Sequence, residues 1–507
     1  MEAFLQPLQS LAEFGEIKKR CGANCGILNV SGCMESQKVH LMYGLSGLFP
    51  YHLILADDER NAKEIYEDYR FYDKNVYFYP AKDLLFFQAD IHGNLLIRQR
   101  MRVIRALLEQ EEVTVVTSID GCMDFLMPLE KIRSRLLHFK SDSVIDLDQL
   151  KEELVELGYE RTGQVELPGQ FSVRGGIIDI YPLTEDNPWR IELWDDEVDS
   201  IRSFDAESQR SLENVDEITI YPAAEKIDGE DMVSFLDYFP EEKTLVFLDE
   251  LNHLAENGEG VEEEYRQSRM HREEKGEANL PEQWLCGFQE LQKKLNRRNC
   301  VAVSALSPRR SGWKINEEFD LTVKSVDSYN SSFELLVKDL LQYKSQGYRI
   351  ALLSGSRTRA ERLAKDLSEE GLNAFYSQDM DRIISPGEIM VVYGHARRGF
   401  QYPLIKFAVM TETDIFGKEQ KKRKKKKKYS GNRIQDFAEL SIGDLVVHEK
   451  HGLGIYRGIE KVEVDRVVKD YIKIEYRGGS NLYILATQLD ALQKYSGSSE
   501  NAKTPKL

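Results

Sequence analysis

Cysteine is scarce, six in 507 residues and none at C-x-x-C spacing, which excludes a disulfide-stapled fold and fits a reducing compartment. Fourteen prolines and 34 glycines are too few for long disordered or fibrous stretches. No apolar run approaches the ~18 residues a membrane helix needs, and Met1-Glu2-Ala3-Phe4 lacks the basic-then-apolar opening of a secretory leader. Positive charge is not in excess either: 68 basic against 86 acidic residues leave −18, which disfavours a general nucleic-acid coat. What is present, 41% hydrophobic and 30% charged residues, supplies several packed cores. A length of ~150 residues per domain suggests roughly three to four of them. These features predict a soluble, cytoplasmic, multidomain chain without a membrane role.

One segment breaks the acidic pattern. Lys421, Lys422, Arg423 and Lys424 open the run KKRKKKKK, eight consecutive cations ending at Lys428. A solvated linker and sequence-independent contact with DNA phosphates are both open readings. Base reading is not expected, because no aromatic side chain interrupts the run.

Along the first ~120 residues strand and helix signals alternate. Tyr51–Ala56, Val76–Tyr79 and Val113–Thr117 read as strands, and Ile97, Met101, Ile104 and Leu108 form one helix face. Arg98, Arg102 and Arg105 flank that face as a basic stripe, either solvated or in contact with nucleic acid or another domain. A small α+β module is expected from Met123 onward. In it Asp146 caps a helix with Leu147, Leu150, Leu154 and Leu157 on its seam, and Gly158 ends it. In Trp189–Leu193, Arg190 and Glu192 share one face and Trp189, Ile191 and Leu193 the other. Gly175-Gly176 suggests a bulge or tight bend. A further α/β unit follows Val326, and Asp436 to Tyr495 reads as a small all-β barrel punctuated by glycines.

Chemistry is poorly represented. A phosphate-binding loop requires G-x-x-x-x-G-K-[ST], whose backbone N–H groups cradle phosphates. The segment from Gly44 and Gly47 to Tyr51 looks like such a loop without its working parts, with Pro50 where lysine is wanted. Glu412 and Asp414 could imitate a metal-binding pair but read better as a solvated strand end. Cys21, Cys25 and Cys33 with His40, and His448 with His451, lack zinc spacing. No catalytic residue, cofactor or metal is expected from these motifs.

Two stretches, Pro168-Gly-Gln-Phe-Ser-Val-Arg-Gly-Gly-Ile-Ile-Asp-Ile-Tyr-Pro182 and Arg190-Ile-Glu-Leu-Trp-Asp-Asp-Glu-Val-Asp-Ser-Ile-Arg-Ser-Phe-Asp205, resemble the bacterial transcription-repair coupling factor family. More distantly they resemble excinuclease B. Pro80–Phe87 fits the same family, and Gly443 to Ile459 is similar to CarD-type RNA-polymerase-interacting domains. The resemblance implies a plan in order. A degenerate helicase-like α/β lobe (1–122 and 223–325) is split around an inserted α+β adaptor (123–222). A small α/β domain (326–416), a basic linker (417–435) and a Tudor/SH3-like barrel (436–495) follow, and 496–507 begins the connection to an ATP- and magnesium-dependent DNA translocase absent from this chain.

The same resemblance implies the partners. Excinuclease A would be bound through Arg161, Arg174, Arg190 and Glu192, and the RNA polymerase β subunit through a strand edge at Val462, Glu463 and Val464. Double-stranded DNA would be engaged mainly by the missing motor. Transcription-coupled nucleotide excision repair is the implied function. Its rivals are a DNA-dependent ATPase, a free-standing CarD-like regulator and an excinuclease-B-like damage-binding protein.

Overall fold

The computed structural model describes residues 1–21, 25–82, 94–223, 232–274, 285–308, 312–417, 431–433, 443–448, 452–464, 467–475, 481–485 and 492–495. They divide into two units, Met1–Lys82 with Leu96–Glu419, and Asp83–Leu95 with Gln420–Leu507. The basic run lies outside the described residues, as does its linker apart from Gly417 and Gly431–Arg433.

Near-continuous apolar runs make strands that are covered on both faces, the condition for an all-parallel sheet. Thr244–Asp249 and Val113–Ser118 are buried at every position. They belong to a seven-stranded parallel sheet in the order Ile315–Asp320, Ile27–Ser31, Cys300–Val303, Thr244–Asp249, Tyr51–Ala56, Val113–Ser118, Val76–Tyr79. Alternate side chains feed two cores. Leu28, Val30, Ile54 and Phe247 join helices Glu35–Ser46 and Glu59–Tyr72, whereas Ile27, Leu53, Leu55 and Val246 join helices Asn94–Glu109 and Leu251–Glu274.

The inserted domain starts later than expected. Met123, Leu126, Met127 and Ile132 pack in the lobe's second core, and Phe125–Leu126 pairs with Val233–Ser234. The insert's own core begins with Phe139, because the apolar residues before it face the lobe. Strand Leu137–Lys140 carries the chain in and Glu217–Ile220 carries it out. The two pair antiparallel, with Leu137 opposite Ile220. Beyond this stalk lies a six-stranded sheet in the order Ser211–Val215, Glu197–Phe204, Trp189–Trp194, Ile177–Ile180, Gln170–Arg174, Glu160–Arg161. Helix Leu147–Glu156 covers one face with Leu150 and Leu154 against Phe171, Ile178 and Ile191. Asp146 caps it as expected, accepting from the N–H groups of Asp148 and Gln149.

The basic stripe of helix Asn94–Glu109 holds the insert in place. Arg98 donates to the carbonyls of Leu183 and Glu185, Arg105 pairs with Glu185 at 2.5 Å, and Arg102 pairs with Asp186. Contact with another domain accounts for Arg98 and Arg105, whereas the pair of Arg102 with Asp186 is open to solvent.

The small α/β domain has strand order Lys324–Ser325, Phe400–Tyr402, Phe407–Thr411, Arg349–Ser354, Glu388–Tyr393, Asn373–Tyr376, the last four parallel. Leu353, Met390, Phe400 and Val409 belong to the same apolar core as the lobe's first face, so lobe and small domain share one core. His40 is buried in this seam, its Nε2 3.0 Å from the Phe4 carbonyl and its Nδ1 3.1 Å from the Tyr402 hydroxyl. Burial pulls its pKa down to about 4, and that of His52, also buried, to about 4. An unfolded histidine titrates near 6.5, so between those values the unfolded chain binds more protons and stability falls as pH drops. Each ring contributes at most roughly 3 kcal/mol of this loss. Urea midpoints at pH 7.5 and pH 5 should therefore differ, and the difference should shrink in His40→Gln. An undiminished difference would remove His40 from the account.

In the second unit six antiparallel strands follow the order Gly431–Arg433, Leu492–Tyr495, Leu445–His448, Gly452–Val464, Val467–Glu475, Asn481–Leu485. Val446, Tyr456, Ile472 and Ile474 are buried, and along Ile472 to Glu475 burial alternates from one residue to the next. No helix among the described residues is long and apolar enough to cross a membrane.

Candidate protein-binding site

The uncovered face of the inserted sheet carries the expected charges, and an acid missing from the sequence reading organises them. Asp179 is 1% exposed and lies in register with Ser172 on one side and Arg190 on the other. Arg190 grips it with both arms, Nε to Oδ1 at 2.6 Å and Nη2 to Oδ2 at 2.9 Å, while Arg174 donates to Oδ2 at 2.7 Å. The Arg190 guanidinium also lies 4.3 Å from the centre of the Phe204 ring and donates to Gln209 at 3.1 Å. The hydrogen bonds to Asp179 hold the Arg190 pKa above its usual range. Two fork-shaped cations thus share one carboxylate, a preorganised arrangement with outward donors to spare.

Arg174 precedes a two-residue hairpin turn, Gly175-Gly176, the tight bend expected there. Gly175 adopts φ +60°, which a glycine tolerates and other residues resist. Glu192 is held by Arg202 at 2.8 Å and by the Ser200 hydroxyl at 3.2 Å, and the Arg202 hydrogen bonds keep its carboxyl below the ordinary range. Two residues further along the same pleat stands Trp194, 80% exposed. Sequence reasoning missed it, although period 2 from Arg190 and Glu192 leads straight to it. Arg161 is also exposed, but its register partner is the core residue Phe171. It therefore lies on the opposite pleat, at the sheet edge, and the fold does not bring it to the other three.

Val462, Glu463 and Val464 lie at the end of the long strand Gly452–Val464. There they pair with Lys469, Val468 and Val467 on one side, while the Leu445–His448 strand reaches only Gly452 to Ile455 on the other. Among the described residues the second edge of this hairpin arm has no strand against it.

The glycine pair read as a degenerate phosphate loop is not a loop. Gly44 lies inside helix Glu35–Ser46, and Gly47 is its C-cap. A Cβ on Gly44 would sit 2.7 Å from Leu8, so the residue serves close helix packing. The position where strand–loop–helix phosphate sites form is Gly32-Cys33-Met34-Glu35-Ser36-Gln37-Lys38-Val39, after strand Ile27–Ser31. Glycine and lysine stand where the motif wants them, but Gln37 replaces the second glycine and Val39 the Ser/Thr.

Protein groups fill the cradle. The N–H groups of Gly32, Cys33 and Met34 are taken by the Ala305 carbonyl, the Ser304 carbonyl and the Gln37 side chain. Lys38 Nζ lies 2.6 Å from both Asp249, the last residue of strand Thr244–Asp249, and Glu250, which follows it. Burial works against its charge, but those two carboxylates keep its pKa above the usual lysine value. Ser36 and Gln37 bind the small α/β domain through the Arg398 N–H and the Tyr402 hydroxyl.

Asp414, too, is not a solvated strand end. It is buried and accepts from the Gly399 and Thr411 N–H groups and the Thr411 hydroxyl, while Glu412 accepts from Ser354.

Residues 137–225 match the UvrB interaction domain family and residues 440–496 the CarD-like/TRCF RID domain family. The transcription-repair-coupling factor of Bacillus subtilis (strain 168) is 30% identical over 94% of this chain and 47% of its own length. That of Staphylococcus aureus (strain MRSA252) is 28% identical over 86% and 42%. The chain spans less than half the length of these curated relatives. With both domains in this order and similarity along nearly its entire length, the chain is similar to part of the transcription-repair-coupling factors.

Proposed function

We propose that this chain is an adaptor of transcription-coupled nucleotide excision repair, binding stalled RNA polymerase with its carboxy-terminal sheet and recruiting excinuclease A with its inserted domain. The observation that carries this reading is the preorganised face on which Arg174 and Arg190 share Asp179 beside exposed Trp194. Charged groups fixed in advance give an interface orientation and on-rate, and an exposed tryptophan supplies the kind of anchor that dominates binding energy. Arg161 would add an edge contact.

For the polymerase, the strand edge at Val462 to Val464, unpaired among the described residues, suits strand addition to the β subunit, in which main-chain hydrogen bonds give affinity and alternate side chains specificity. The six strands would then curl into a Tudor/SH3-like barrel. ATP hydrolysis is not assigned to this chain, since its phosphate-loop position is occupied by the chain's own groups. Translocation on DNA, with ATP and magnesium, would belong to the motor of a longer protein.

Bridging is the test. Immobilised RNA polymerase should retain purified excinuclease A only when this chain is added. Retention of the chain without excinuclease A would favour a CarD-like regulator, and measurable ATP turnover would refute the adaptor reading.

A further inference from the structure

Two cavities of about 970 and 1310 Å³ share Glu67, Gly355, Gly394 and His395 and so form one crevice. It runs between helix Glu59–Tyr72 of the lobe and the carboxyl ends of strands Arg349–Ser354 and Glu388–Tyr393 in the small α/β domain, the end of a parallel sheet where ligands collect. Its lining inverts the charge of the chain: eight Lys and Arg face five Asp and Glu in a protein of net charge −18. Arg60, Lys63 and Arg70 come from one wall, with Lys74 just beyond, and Arg357 and Arg359 from the other.

The second wall is electrostatically unfavourable for the fold itself. Helix Arg357–Glu369 has no acid in its first turn, and two arginines stand where the helix dipole favours negative charge. Arg357 and Lys74 have no ion-pair partner among the described residues. Arg60 makes a long pair of 3.4 Å on a side chain 87% exposed, a contact that is readily exchanged. An anion in the crevice would relieve both costs. The combined cavity exceeds what a small ligand fills and is lined with charge where such pockets are mostly apolar.

We infer that this crevice binds the phosphodiester backbone of duplex DNA, independently of the carboxy-terminal unit and of the adaptor face. The contact is non-specific, with several cations placed along a strand and none set to read a base.

The whole chain, its Lys421–Lys428 run intact, would be titrated with a fluorescein-labelled 30-base-pair duplex across a salt series. Each phosphate that is no longer neutralised takes about 0.9 from the slope of log affinity against log salt. The double variant Arg357→Glu/Lys74→Glu should give up roughly two such phosphates and bind about tenfold or more weakly near 0.1 M salt. The comparison is Arg362→Glu/Lys365→Glu, an equal charge change on exposed positions of the same helix outside the crevice. It should bind like the unaltered chain. Equal losses in both variants, no loss in the first, or no duplex binding by the unaltered chain would each overturn the proposal. Displacement of duplex by inorganic tripolyphosphate at matched phosphate concentration would also overturn it, marking a small-polyphosphate site. Circular dichroism of both variants secures the comparison, since neither change touches a buried pair.

Discussion

Arg190→Ala is expected to weaken capture of excinuclease A by at least about 30-fold, the equivalent of ~2 kcal/mol at the low end for truncating one partner of a buried charge pair. Its side chain is 13% exposed and lies between Asp179, Gln209 and the Phe204 ring, so its loss also leaves Asp179 with Arg174 alone. Binding and folding must therefore be separated. Trp194→Ala serves that purpose, because a residue 80% exposed at the end of its strand supports little of the core. The expected pattern is a lower thermal midpoint for Arg190→Ala only, with weakened calorimetric binding for both variants. Wild-type affinity in both would dismiss this face as the site.

Asp68→Ala should be the most destabilising single change in the seam between lobe and small domain, at about 3–5 kcal/mol. Asp68 is buried and accepts from the Ser36 hydroxyl at 2.7 Å, from the Arg397 N–H at 2.9 Å and from its guanidinium at 3.0 Å. Without it the Arg397 guanidinium keeps only Glu64, and Ser36 keeps only its contact with the Arg398 N–H. Urea unfolding should show a markedly lower midpoint, and protease should cut first within the small domain. A midpoint within error of the unaltered chain would mean that the apolar core alone joins the two domains.

Much of this architecture is legible in the sequence because local and global signals agree. The β-branched run at Val113 forms a fully buried strand, and Ile97, Met101, Ile104 and Leu108 form the inward face of one helix. What stays hidden depends on contacts far apart in sequence. Asp179 reads as one acid among many until two arginines from neighbouring strands meet on it. The stripe at Arg98 is compatible with solvent until the loop holding Glu185 and Asp186 is placed opposite. Glycine spacing points to Gly44 for the phosphate loop, yet no strand precedes it. The strand that matters, Ile27–Ser31, is short and carries Asn29 and Ser31, so its pattern is weak. The boundary at Met123 fails for a related reason: apolar residues do not announce which of two cores they join.

The stalk of the inserted domain has an evolutionary consequence. Because Leu137–Lys140 and Glu217–Ile220 pair side by side, the ends of the insert lie one strand spacing apart, about 4.8 Å. A host chain need open only a gap as wide as a hairpin to accept it, and closing that gap after excision needs no more than a turn. A module joined in this way enters or leaves a fold without asking the rest of it to refold.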